Sequence, residues 1–73
     1  MSSIRRWRRG RHELSLIIKD GATIILYEGG NIALLQSYSL GGEDKARKDA
    51  DAIARVGHLN FVGQGAESYA AAR

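Results

Sequence analysis

The chain contains no cysteine, so no disulfide can staple it, and two histidines without a thiol cannot close a structural zinc site. That absence fits a reducing compartment. Long apolar runs are missing as well. The stretch "LSLII" at 14–18 ends after five residues at Lys19 and Asp20, whereas a secretory signal needs about 7 to 15 apolar residues and a membrane helix about 20. The expectation is a cytoplasmic protein with no membrane-spanning segment.

Catalytic constellations are equally scarce. Glu43, Asp44, Asp49, Asp51 and Glu67 fall on an expected helix or tail, Asp20 and Glu28 flank turns, and Glu13 opens a strand. Each is explained as a solvated charge or a cap. His12 and His58 read as surface or strand-end residues, with no nucleophile and orienting group spaced beside them. "GQGAES" at 63–68 lacks the third glycine of a dinucleotide fingerprint, and "GHLNFVG" at 57–63 lacks the basic residue and aromatic spacing of an RNA-recognition strand. These gaps predict a non-enzyme with no cofactor and no metal.

What the sequence does have is concentrated charge. Its net +3 over 73 residues divides unevenly: residues 1–12 hold Arg5, Arg6, Arg8, Arg9 and Arg11 with no acid, while the remainder carries six bases against eight acids. The basicity therefore belongs to residues 1–12, expected as a mobile arm. Arginine suits bidentate phosphate contact, and the indole of Trp7 in "RRWRRGR" can stack on a base. Arg5, Arg6, Trp7, Arg8, Arg9 and Arg11 are accordingly the candidate nucleic-acid-binding residues. An acidic protein or lipid surface is the competing partner, and a solubilising tail has no use for an indole.

Beyond the arm, residues 13–65 read as one small domain. "KDGA" at 19–22 separates "ELSLII" from "TIILYE", and Asp-Gly favours a type I′ hairpin turn. "EGGN" at 28–31 repeats the arrangement with Gly29-Gly30 before "IALLQSYS", which predicts a three-stranded antiparallel meander. Two-residue turns place Leu14 opposite Tyr27 and Leu16 opposite Ile25, with Ile32 beside Tyr27 and Leu34 beside Ile25. The other face collects Ile17, Ile24, Leu26 and Leu35, apolar as well. One helix cannot cover both faces, so these four are the candidate interface with a second copy, as a homodimer, or with a partner.

Residues 41–57 carry helix signals: Gly42 as N-cap, Glu43 and Asp44 in the first turn, Arg55 in the last and Gly57 as the C′ stop. Pairs Glu43/Arg47, Asp44/Lys48 and Asp51/Arg55 are spaced i, i+4. The apolar stripe Ala46, Ala50, Ile53 and Ala54 is narrow and small. "HLNFV" at 58–62 then reads as a short fourth strand, and the tail 66–73 as frayed or docked through Tyr69. The fold class expected is α+β in the order β-β-β-α-β, with a basic N-terminal arm.

A three-stranded meander followed by a helix is similar in outline to the small sheet-plus-helix DNA-binding domains of phage integrases and plant transcription factors, whose sheets enter the major groove. Those sheets bear rows of basic residues, whereas the strands read here offer Lys19 alone. The outline also resembles very small proteins of phages and mobile elements, including inhibitors of CRISPR defence that bind a host protein. The likeness is architectural, and no residue motif selects a family. Two functions follow as expectations: an accessory or regulatory nucleic-acid-binding protein, and an inhibitor or adaptor that binds an acidic host protein.

Overall fold

A computed structural model describes residues 2–65, with residues 2 and 64 described by backbone alone. The architecture is α+β. Strands β1 (Ser2–Arg9), β2 (His12–Lys19), β3 (Ala22–Gly29) and β4 (Ile32–Tyr38) precede helix α1 (Glu43–Val56) and strand β5 (Asn60–Gly65). They form one antiparallel sheet in the order β4-β3-β2-β1-β5. The meander thus has four strands where three were expected, because the segment read as an arm supplies β1. The tail 66–73 lies outside the described residues.

Two-residue turns at 10–11, 20–21 and 30–31 give the meander a ten-residue period. Asp20 and Gly21 both take positive φ, 46° and 84°, the type I′ pattern that Asp-Gly favours. At the other two turns only the first central residue, Gly10 or Gly30, has positive φ, at 60° and 56°. This is the type II′ pattern, which asks for glycine at that place. The third turn is therefore Gly30-Asn31 and not Gly29-Gly30. Leu14 and Leu16 face Tyr27 and Ile25 as expected, but Tyr27 meets Leu34 and Ile25 meets Gln36. A shift of two residues preserves which face each side chain takes.

How does so basic a segment enter a sheet interior? Its charges find compensation across the strand pair. Arg8 stands directly opposite Glu13, and the guanidinium groups of Arg6 and Arg8 lie 3.8 Å and 3.7 Å from one Glu13 carboxylate oxygen. Trp7, opposite Leu14 on one side and Phe61 on the other, is 5% exposed and meets the Phe61 ring edge-on at a centroid distance of 5.7 Å. Burial of the indole is the main apolar gain that holds β1 in place.

The helix packs on β2 and β3 through Ala46, Ala50 and Ala54, all buried, with Ile53 half-buried beside them. Small side chains let its axis approach the sheet closely, over a core of Trp7, Leu14, Leu16, Ile25 and Leu59. Its surface ion pairs are Arg47–Asp44 at 3.3 Å and Lys45–Asp49 at 3.7 Å, so Asp44 turns to Arg47 and not to the expected Lys48. Both are exposed pairs of small energetic weight.

The helix stops one residue later than the glycine rule suggests. Gly57 keeps a right-handed conformation, and His58 takes φ 56°. The His58 amide donates to the Arg55 carbonyl at 3.2 Å and the Leu59 amide to the Ala54 carbonyl at 2.8 Å, the two bonds of a Schellman motif with His58 at C′. That turn drops Leu59 into the core and launches β5 beside β1. At the opposite end of the sheet, the Tyr38 hydroxyl donates to Asp49 at 2.6 Å, tying the end of β4 to the helix. Partial burial, then the bond to Asp49 and its charge, push that hydroxyl up to about 12.

Three outcomes follow from these contacts. Trp7→Ala is expected to cost about 3–5 kcal/mol, most of the stability of a domain this size, and to abolish the cooperative thermal transition followed by circular dichroism. His58→Gly relieves a left-handed residue with a Cβ and should raise stability by about 0.5–1 kcal/mol in urea titrations; a decrease would show that the His58 side chain is needed where it stands. For Tyr38, an unfolded tyrosine loses its proton near pH 10 and the folded one near 12. Its contribution is therefore complete below pH 10 and lost as pH rises through 12. The gap in urea midpoint between wild type and Tyr38→Phe should shrink between pH 9 and pH 11.5, and a gap independent of pH would contradict the assignment.

Candidate nucleic-acid interface

Strand alternation distributes the six candidate residues over both faces and one end of the sheet. Arg5, Trp7 and Arg9 share the face that carries α1, in line with Leu16, Leu14 and His12. Arg6 and Arg8 project to the other face, in line with Ser15 and Glu13. Arg11 lies in the turn. Arg8, Arg9 and Arg11 are exposed, gathered around the β1–β2 turn, and Arg9 and Arg11 form no ion pair among the described residues.

Chain topology adds to that end. Because the strands alternate in direction, the turns 10–11 and 30–31 share one end of the sheet, and the helix runs back toward it. Arg55 and His58 at the helix C-terminus are thereby placed near Arg8, Arg9 and Arg11, and Asn60 is paired with Arg8. The opposite end gathers Asp20, Glu43 and Asp44 with Lys19 and Lys45. At the first end Arg8, Arg9, Arg11 and Arg55 outnumber Glu13 and Glu28, which face each other across β2 and β3, so it is the more basic of the two ends, a polarity of the kind that orients an approaching polyanion.

Trp7 does not serve as an exposed stacking ring; it belongs to the core. The exposed ring is Phe61, which the sequence places in the alternation of "HLNFV" but which, as a single phenylalanine, makes no stacking platform by itself. It is 50% exposed, on the helix-bearing face beside Trp7. Arg5 bridges the two, its guanidinium carbon 5.7 Å from the Trp7 centroid and 5.4 Å from that of Phe61. Its Nε is buried without a hydrogen-bond partner, so cation–π attraction is what holds this guanidinium. The signal for Phe61 was available only as a pairing: β5 had to be set against β1 before Phe61 and Trp7 could be seen as neighbours.

A second cluster lies under the same end. The Tyr27 hydroxyl and His12 Nδ1 are 2.7 Å apart, and the imidazole lies against Gly29, where a Cβ would come within 2.1 Å of Nδ1. Any larger residue at 29 would displace His12 and break its bond to Tyr27. Neither residue has a nucleophile or carboxylate triad around it, and no group of three or more His, Cys, Asp or Glu able to hold a metal occurs among the described residues. A shallow apolar hollow of about 380 Å³ lies beside the helix end, lined by Tyr27, Ala52, Ile53, Val56 and Gly57.

Ile17, Ile24, Leu26 and Leu35 come together on the face away from α1. Ile17 stands opposite Ile24, and Leu26 opposite Leu35, with Ile4 of β1 completing the first row beside Ile17. The first three of the four are half-buried among one another, whereas Leu35 is 64% exposed. No helix among the described residues is long and apolar enough to cross a membrane. Set against models of known protein families, curated proteins and solved structures, the chain matches none of them.

Proposed function

We propose that this is a non-enzymatic accessory protein that binds nucleic acid with the end of the sheet where β1 turns into β2. The observation that carries the reading is the clustering of three exposed arginines, Arg8, Arg9 and Arg11, around one two-residue turn. A hairpin holds the backbone of the three arginines in place, so less backbone freedom is lost on meeting phosphates than a mobile arm would lose. Arg5 is committed to the rings of Trp7 and Phe61, and Arg6 to the Glu13 pair. Phosphate contact therefore falls to Arg9 and Arg11 at the tip and to Arg8, whose half-exposed guanidinium also lies 3.7 Å from Glu13.

Phe61 extends the surface along the same face, offering half a ring on which one base can stack with the Arg5 guanidinium behind it. Such contacts favour unpaired bases and discriminate little among sequences, because every base has a π-face and phosphates carry no sequence information.

Affinity for duplex and single-stranded DNA and RNA should be measured against salt. Three phosphate contacts predict a slope of log K on log salt of about −2 to −3. The double substitution Arg9→Glu with Arg11→Glu, both exposed and tolerable to the fold, should flatten the slope and remove binding at physiological salt. Phe61→Ala should lower single-strand affinity roughly tenfold and leave the slope unchanged. If the charge-reversed protein binds nucleic acid as wild type does, the reading is wrong; if neither protein binds and an acidic protein partner is retained by the same arginines, the inhibitor or adaptor reading replaces it.

A further inference from the structure

Among the described residues no strand pairs with the outer edge of the sheet at β4. A two-residue turn makes its closing residues a hydrogen-bonded pair, and such pairs alternate along an antiparallel ladder. With Gly29 opposite Ile32, the amides and carbonyls of Ile32, Leu34, Gln36 and Tyr38 point to β3. Those of Ala33, Leu35 and Ser37 point outward. Six of the seven residues of β4 are exposed, among them Ile32 at 62%, Leu34 at 47% and Leu35 at 64%. The strand "IALLQSY" contains no charge.

The two edges of the sheet differ in how they are protected. Proteins guard edge strands with charges, prolines, bulges or short length. At β5, a break in register between Arg6 and Trp7 leaves Val62 without an opposite residue, and glycines stand at 63 and 65. β4 has none of these devices. Its pairing with β3 runs in register from Gly29–Ile32 to Thr23–Tyr38, and its solvent edge is unbroken and uncharged.

We infer that β4 pairs antiparallel with β4 of a second copy of this chain about a two-fold axis at Leu35, joining two five-stranded sheets into one of ten strands. This register places every outward-facing peptide group opposite another. Leu35 meets Leu35 of the second copy, and Ala33 meets its Ser37 in both directions, for six backbone hydrogen bonds. On the helix-bearing face Ile32 comes beside the second copy's Tyr38, and Leu34 beside its Gln36. On the other face the row Leu26–Leu35 continues unbroken into its symmetry mate. A strand with no charge, whose outward peptide groups pair about Leu35 and whose small Ala33 meets small Ser37, fits itself without an unpaired group, which an arbitrary extended peptide has no reason to do.

The helices leave room for this arrangement. α1 lies over β2 and β3, so at about 4.8 Å per strand the two helix axes would stand about 19 Å apart, well beyond a helix diameter of about 10 Å. An edge of seven residues buries on the order of 1,000 Å² over both copies, the low end of specific interfaces. Association is therefore expected at micromolar chain concentration. The inference is independent of the basic end, which lies across the sheet at the β1–β2 turn.

The absence of cysteine makes the test free of background. In the stated register the Cα atoms of the two Leu35 residues stand about 5.5 Å apart, within disulfide reach. Leu35→Cys should therefore oxidise to a covalent dimer at micromolar concentration, and Ile17→Cys and Leu26→Cys, set back in the sheet face, should not. Sedimentation equilibrium of the full chain should show a monomer–dimer equilibrium, and Leu35→Lys, which opposes two cations at the axis, should raise its dissociation constant more than tenfold with an unchanged circular dichroism spectrum. A wild-type chain that stays monomeric at several hundred micromolar overturns the inference. So does cross-linking at Ile17→Cys or Leu26→Cys, the mark of face-to-face association.

Discussion

The structure depends on a basic strand lying inside a sheet. β1 carries four arginines in eight residues, yet it has a hydrogen-bonded neighbour on each side and joins β5 to the rest of the sheet. Backbone pairing asks nothing of side-chain charge, so the requirement is that each guanidinium find somewhere to go. Glu13 takes two of them, the Trp7 and Phe61 rings take a third, and Arg9 reaches solvent at the turn. The indole of Trp7 supplies the apolar burial that the arginines cannot, and without β1 the strand β5 would have no partner.

From that insertion the distribution of charge on the molecule follows. Arginines from Arg5 to Arg8 are met by protein groups, and Arg9 and Arg11 are exposed to solvent, so the positive surface lies at the hairpin tip. The helix then divides the sheet faces unequally. Its stripe of alanines seats it over β2 and β3, which leaves Phe61 exposed toward one edge and Ile32 and Leu34 toward the other. Among the described residues no helix lies on the face bearing Ile17, Ile24, Leu26 and Leu35. A small domain buries only part of its apolar surface, and here the unburied part is ordered into an unbroken edge and a sheet face.

Much of this was readable in the residues. Asp20-Gly21 marked its turn through a local φ requirement, the alternation of β2 and β3 assigned side chains to the correct faces, and the helix between Gly42 and Gly57 followed from charges and alanine spacing. The Gly29-Gly30-Asn31 run was ambiguous because two adjacent glycines satisfy the same local rule, and the register of β4 moved by two residues in consequence. β1 was not legible at all: four arginines in eight residues look like a solvated arm, and Gly10-Arg11 announces a turn only to a reader who already suspects strands on both sides of it.

The sequence by itself determined the α+β class, the helix, the β2–β3 register and the two-faced apolar character of the central strands, because these rest on φ preferences and side-chain periodicity within a few residues. Only the tertiary structure decided that the basic segment is a strand, that Trp7 is core and Phe61 surface, that the helix stops on His58, and that β4 is an edge of the described sheet. The first three depend on partners distant in the chain: β5 and the shared core for β1, Trp7 for Phe61, the sheet core for Leu59 just beyond His58. Charge compensation and burial are properties of neighbours in space, and no local pattern along the chain records which neighbours will be there.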